Sequence, residues 1–246
     1  MLKNYRMVIQ YDGTRYNGWQ LQGNTPDTIQ GKVEAALTQI LAQPVEVAGS
    51  GRTDAGVHAQ EQVASFRAKT KLPPEEILAQ LRAALPGDIG AISLTEAAPR
   101  FHARLNCRRK TYVYRIWNSA APDVFERRYR LAEPRPLDLE AMCRAAEALC
   151  GEHDFTSFCA NRRMKKSAVR RIDAIEIVRN GDEVRLVFTG NGFLYHMVRI
   201  LTGTLLEVGL RERPAAEMAD ILEAKDRGRA GKTAPAKGLA LQCVEY

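Results

Sequence analysis

The residues best suited to chemistry lie in one short stretch, Gly49-Ser50-Gly51-Arg52-Thr53-Asp54-Ala55-Gly56-Val57-His58. Its glycines permit positive φ and close approach by another chain. Apolar, strand-like runs bound it on both sides, so Arg52 and Asp54 are offered outward rather than packed into a core. A lone carboxylate presented in this way serves as a nucleophile or a general base. The spacing is not that of a nucleotide loop: G-x-G-x-x-G needs a glycine where Asp54 stands, and a phosphate-cradling loop ends in Gly-Lys-Ser/Thr. The plainer reading of Asp54 is a turn cap, since Asp and Gly both favour turns.

Other chemistry is poorly supplied. The five cysteines, Cys107, Cys143, Cys150, Cys159 and Cys243, are scattered without a C-x-x-C pair. They read as free thiols of a reducing cytoplasm. Cys150, His153 and Cys159 are near one another but lack the four closely spaced ligands of a zinc site, so no metal is expected. His58 and His196 read as structural.

Charge is more informative once it is located. The 246 residues carry a net charge of +7. Residues 1–103 hold ten basic and ten acidic side chains, so the whole excess belongs to residues 104–246. It gathers in Arg108-Arg109-Lys110, in Arg127-Arg128-Tyr129-Arg130, and in Arg162-Arg163-Met164-Lys165-Lys166 followed by Arg170-Arg171. One such run is an ordinary solvated face; several in one half point to a polyanion partner. Apolar content of 45% and charged content of 26% fit a soluble globular protein. No apolar run reaches the roughly 18 residues of a membrane span, and the opening Met-Leu-Lys-Asn-Tyr-Arg reads as a strand rather than an export signal.

The elements that must position these residues follow from periodicity. Residues 5–11 alternate as a strand. A helix opens at Pro26-Asp27-Thr28 with Ile29, Val33, Leu37, Ile40 and Leu41 on one face. A strand over 45–48 enters the glycine-rich loop and another leaves it over 62–68. A second helix follows Pro73-Pro74, then a strand over 89–94. Residues 107–117 form a strand with Tyr112, Tyr114 and Ile116 on one face. Residues 122–136 read as a connection and 137–149 as a helix with Gly151 suited to its C′ position. Residues 152–170 read as a loop, and a hairpin turns at Asn180-Gly181-Asp182. An apolar helix spans 193–208, a further helix 215–224, and a strand closes the chain over 239–246. The result is two α/β lobes, residues 1–103 and 104–246.

These residues resemble the bacterial tRNA pseudouridine synthase A family. The resemblance rests on Gly51-Arg52-Thr53-Asp54-Ala55-Gly56-Val57-His58, Phe101-His102-Ala103-Arg104, Tyr112-Val113-Tyr114-Arg115, Asp154-Phe155-Thr156-Ser157-Phe158, Phe193-Leu194-Tyr195-His196-Met197-Val198-Arg199 and Gly238-Leu239-Ala240-Leu241, in that order. It implies the pseudouridine synthase fold, of mixed α/β (α+β) class: two similar lobes whose antiparallel sheets join across a central basic cleft. It implies an isomerase that converts uridine to pseudouridine at positions 38, 39 and 40 of the tRNA anticodon stem-loop, as a homodimer, with no cofactor and no metal. Asp54 would be the catalytic carboxylate and Tyr112 the ring that stacks on the flipped base. Leu239 would wall the base pocket. Taken alone, Tyr112 on an alternating strand and Leu239 on a terminal one are ordinary core residues.

Breaking the N1–C1′ bond, turning the uracil and rejoining it through C5 imports no group and oxidises nothing. One carboxylate suffices, whether it attacks C1′, adds to C6 or takes a ribose proton. A cation beside it favours its charged form. Arg52 lies two residues away, and the resemblance implies that Arg199 of the apolar helix reaches the same site; the favoured division pairs Arg199 with Asp54 and leaves Arg52 to fill the space of the displaced nucleotide. The competing readings are a non-catalytic RNA-binding or chaperone module, and a superfamily enzyme with another RNA target.

Overall fold

The computed structural model describes residues 2–161 and 163–246; Met1 and Arg162, a member of the third basic run, lie outside the described residues. The elements in order are β1 (Leu2–Tyr11), α1 (Ile29–Leu41), β2 (Val47–Gly49), β3 (His58–Lys69), α2 (Pro74–Ala84), β4 (Ile89–Ala97), β5 (Arg109–Trp117), β6 (Leu131–Ala132), α3 (Leu139–Glu147), β7 (Gly151–Asp154), β8 (Val169–Asn180), β9 (Glu183–Gly190), α4 (Met197–Gly209), α5 (Glu217–Ala224) and β10 (Leu239–Glu245). The mixed α/β class expected from periodicity is what the chain forms. It divides into two compact units, one of residues 1–108 with 240–246, the other of residues 109–239.

In the first unit β1 lies between β3 and β4, antiparallel to both. The short β2 pairs with β3, and β10 joins β3 in parallel through Ala240 opposite His58 and Leu241 opposite Ala59. The two helices deal with their exposed first-turn amides differently, α1 by a side-chain cap and α2 by a proline. The Thr28 hydroxyl accepts from the Gly31 amide, and Pro74 occupies the first turn of α2, where a missing N–H costs nothing. Ile29, Val33 and Leu37 of α1 and Ile77 and Leu81 of α2 are buried, as their spacing requires. Tyr5 and Phe66 stack within this core at 5.0 Å.

In the second unit β9 lies between β5 and β8, antiparallel to each, and β7 pairs with the far side of β8. The hairpin between β8 and β9 turns through Gly181 at φ 58°. Several details depart from the periodicity. Residues 131–132, inside the expected connection, are the short strand β6, and residues 152–154, expected as loop, belong to β7. Gly151 has φ 104° as the first residue of β7, because α3 stops at Glu147, too early for Gly151 to be its C′ residue. And α4 begins at Met197 rather than Phe193, because His196 sits at φ 60°, off the helical path.

The charged residues of this unit also sort themselves. Glu183, 5% exposed, forms ion pairs with Arg115 at 2.9 Å, Arg130 at 2.5 Å and Arg185. Arg130 in turn meets Asp123 at 2.7 Å and lies over the Trp117 ring at 5.3 Å. Arg130 is therefore part of the scaffold, although the sequence groups it with a basic run. Burial alone would raise the Glu183 carboxyl, but the Arg115 and Arg185 guanidiniums outweigh it and hold the group below the usual glutamate range. A depressed carboxylate stabilises the fold above its unfolded pKa, and that contribution fades as the pH falls through the folded value. We expect Glu183→Gln to cost about 2–4 kcal/mol at neutral pH, because it strands neighbouring cations. Thermal unfolding from pH 7 down to pH 3 checks this: the wild-type and variant curves should converge on the acid side. A gap that stays constant with pH would contradict it.

Candidate active site

Asp54 sits in the loop between β2 and β3, and a buried chain of hydrogen bonds builds that loop from beneath. The Ser50 hydroxyl donates to the Gln62 amide oxygen at 2.6 Å, and the Gln62 amide nitrogen donates to the Gly51 carbonyl at 2.9 Å. The same nitrogen reaches the Tyr11 oxygen at 3.5 Å. Tyr11 lies 2.8 Å from the Thr53 hydroxyl. Burial pushes the Tyr11 phenol up to about 12, so it stays protonated over the physiological range and can donate to Thr53. The Thr53 carbonyl accepts from the Trp19 amide at 3.0 Å. Both sides of the residue before Asp54 are thus fixed.

The other side of the loop is pinned to residues 12–19. Gly18 has φ 86°, and a Cβ there would lie 2.6 Å from the Thr53 carbonyl oxygen, so only glycine lets these segments meet. Gly56, at φ 76°, donates its amide to the Tyr16 carbonyl at 3.3 Å. The His58 Nδ1 accepts from the Gly13 amide at 3.1 Å, and an Asp12 oxygen lies 3.1 Å from the same nitrogen. A nitrogen that accepts from Gly13 has no proton for Asp12, so the ring does not bond to both through Nδ1 at once. Through either contact His58 ties the loop to residues 12–13, which is the structural role its sequence context implies. Within this frame Asp54 is half-buried, while Arg52 is exposed and holds no hydrogen bond or ion pair among the described residues.

Tyr112, Arg199 and Leu239 belong to the second unit. Tyr112 lies on β5, buried, with Phe193 edge-on at 5.3 Å and 87°. Arg199 is in the first turn of α4. Its Nε donates to the Ala234 carbonyl at 2.8 Å, and its own carbonyl accepts from the Ala234 amide at 3.0 Å. The segment that carries Ala234 runs tight against α4: a Cβ at Gly203 would fall 1.7 Å from the Lys232 carbonyl oxygen. Tyr114 donates its hydroxyl to the Pro235 carbonyl at 2.8 Å. Burial raises the Tyr114 phenol far above its ordinary value, and the Arg199 charge opposes that shift. Arg199 and Tyr114 therefore face one another electrostatically. Leu239 is buried directly after the turn Ala236–Gly238 and precedes the residues of β10 that pair with β3.

The frame residues Gln62, Tyr11, Gly18 and Tyr114 were not singled out by sequence. Gln62 gives no signal of its own, because β3 also carries Gln60, Glu61, Ser65 and Arg67. Elsewhere, Cys150 and Cys159 turn their thiols to the Ala146 and Asn161 carbonyls, and none of the five cysteines is in a disulfide.

Comparison with known proteins sets this geometry in context. A family model described as tRNA pseudouridine synthase matches residues 7–106 and 145–246. The chain belongs to the tRNA pseudouridine synthase family. Its matched segments include Arg52, Asp54, Arg199 and Leu239; Tyr112 lies between them. Similar relatives named tRNA pseudouridine synthase A come from Brevibacillus brevis, 46% identical over 100% of both chains, and Moorella thermoacetica, 44% identical over 98% of both. One named tRNA pseudouridine synthase A 2 comes from Bacillus cereus, 42% identical over 100% of both. Among solved structures, a Cbf5–Nop10–Gar1 complex gives a TM-score of 0.37 at 16% identity, over 82% of this chain and 45% of that one.

The buried frame makes a prediction for this family member. Gln62→Met keeps the volume and removes both hydrogen-bonding ends, leaving the Ser50 hydroxyl and Gly51 carbonyl unsatisfied. The cost should be about 1–3 kcal/mol of stability, with a larger fall in the rate of pseudouridine formation at saturating tRNA than in tRNA affinity. Denaturant titration and single-turnover kinetics measure both; an unchanged rate would separate the frame from the chemistry.

Proposed function

We propose that this isomerase acts on uridines 38, 39 and 40 of the tRNA anticodon stem-loop, with Asp54 as its catalytic carboxylate. The conversion of uridine to pseudouridine in tRNA is the activity of the family to which the chain belongs. The observation that carries the finer reading is the construction of the loop. Bonds on both sides of Thr53 hold the backbone, while the next side chain, Asp54, keeps access to solvent. A reactive group positioned by a rigid frame loses little entropy on meeting its substrate.

The chemistry balances without an added group. The N1–C1′ bond breaks, the uracil turns, and C5 bonds to C1′; the C5 proton leaves and N1 gains one. The target nucleotide must flip out of its stem at a cost of a few kcal/mol, which aromatic stacking at roughly 1–3 kcal/mol per base helps to offset. In this reading Tyr112 provides the ring and Leu239 the apolar wall of the base pocket. Arg199, whose stem is fixed on Ala234, supplies the cation for the carboxylate. Arg52 enters the space the nucleotide leaves. Residues 1–103 thus bring the carboxylate, and residues 104–246 the stacking ring and the basic surface. The resemblance further supports a cytoplasmic homodimer that needs neither metal nor cofactor. Among the described residues no helix is long and apolar enough to cross a membrane.

Asp54→Asn tests the assignment, because it keeps the shape and removes the charge. The variant should bind an unmodified tRNA transcript while producing no pseudouridine at positions 38–40, read by carbodiimide-dependent primer extension. Pseudouridine formed at the wild-type rate would end the role of Asp54. Modification by the wild type at other positions alone would retain the chemistry and overturn the target.

A further inference from the structure

The connection between β5 and β6 carries an unusual display. Phe125 is 90% exposed and its neighbour Val124 54% exposed. Isolated surface hydrophobes are common and need no explanation. This one differs because the segment that carries it is held from many sides. Asp123 Oδ1 accepts from the Phe125 and Glu126 amides at 3.2 Å, and its other oxygen meets Arg130 at 2.7 Å. Glu126 meets Arg115 at 3.1 Å, and Arg130 reaches the buried Glu183. The Trp117 indole donates to the Ala121 carbonyl at 2.6 Å. Arg127 folds back onto the Val124 carbonyl at 2.6 Å. The order is already present in the folded chain, and it serves to hold a phenyl ring in water.

The flanking residues identify what such a ring would meet. Arg127 and Arg128 are both exposed and have no carboxylate partner among the described residues. They stand in the half of the chain that carries the entire net positive charge. An apolar protein partner would be poorly served by two uncompensated guanidiniums at the rim. An RNA strand is well served: unpaired bases stack on aromatic rings while arginines hold the adjacent phosphates. We propose that Phe125 is a stacking contact for an unpaired nucleotide of the tRNA, with Arg127 and Arg128 on its backbone. It is a positioning residue for the substrate, distinct from the groups that act on the target uridine. This rests on the tRNA-modifying function stated above.

The experiment measures equilibrium binding of a full-length unmodified tRNA transcript over a series of salt concentrations. It uses the wild type, Phe125→Ala, Phe125→Leu, Phe125→Trp and Arg128→Gln, with the mass of each protein taken by light scattering. Phe125 is on the surface, so its variants should fold normally, which circular dichroism verifies. Alanine and leucine should raise Kd by roughly 5- to 100-fold, the range that base stacking supplies, with little change in salt slope. Tryptophan should restore binding. Arg128→Gln should instead shallow the salt slope by about one. Unchanged affinity in Phe125→Ala overturns the proposal, as does restoration by leucine as complete as by tryptophan. A change of mass assigns the ring to contact with another protein chain and overturns it too. If the wild type modifies tRNA while Phe125→Ala binds normally, only this inference fails. If the wild type forms no pseudouridine, the functional reading fails and takes this inference with it.

Discussion

The loop that presents Asp54 depends on a buried hydroxyl pair, Tyr11 and Thr53, 2.8 Å apart. A loop rich in glycine has no intrinsic preference for one path, so the position of Asp54 must come from outside its own sequence. The Tyr11 oxygen, protected from ionisation by burial, fixes Thr53 from the sheet. The Trp19 amide fixes it from the preceding segment. In a low-dielectric interior such bonds are strong, and each buried polar group left unpaired is costly. The loop therefore has one well-satisfied arrangement, and flexibility in its sequence becomes precision in its fold.

The second unit reaches a similar end by another route. Arg199 stands on α4, a helix buried nearly all round, and is coupled to Ala234 by a pair of bonds to side chain and backbone. That pairing requires the 231–235 segment to lie against α4, which the absence of a side chain at Gly203 permits. The first unit positions an anion through neutral hydroxyl and amide groups. The second positions a cation through carbonyls. In both units the main-chain bonds fix the element that carries the charge.

Much of this was legible in the sequence, and what was missed has physical causes. Long elements with a clear period are legible: α1 from its apolar stripe and Thr28 cap, the β8–β9 hairpin from its glycine turn. The strands β6 and β7 were missed. They are two and four residues long, and pairing with a neighbour, not a pattern of their own, makes them strands. The start of α4 was misplaced because a single left-handed residue, His196, leaves no trace in hydrophobic periodicity. Asp54 stood out because glycines and charge were concentrated around it. Gln62 did not, since the partners that give a buried amide its value come from segments far apart in the chain.

Charge illustrates the same limit from the other direction. Counting basic residues located the excess in the right half but could not say which arginines face outward. Arg115, Arg130, Arg185 and Arg213 are matched to carboxylates, and Arg109 and Arg171 both meet Asp173. Arg127, Arg128, Arg163, Lys165 and Lys166 are exposed without such partners among the described residues. Pairing leaves the net charge unaltered but decides where it acts. A compensated pair has a short-range field that water screens quickly, whereas an unmatched cation projects to about a Debye length, near 8 Å at physiological salt. Many of the acidic residues of this half hold arginines in place. The field that remains for a phosphate backbone therefore comes from short, discrete stretches of surface, and a polyanion would be drawn to those stretches rather than to the unit as a whole.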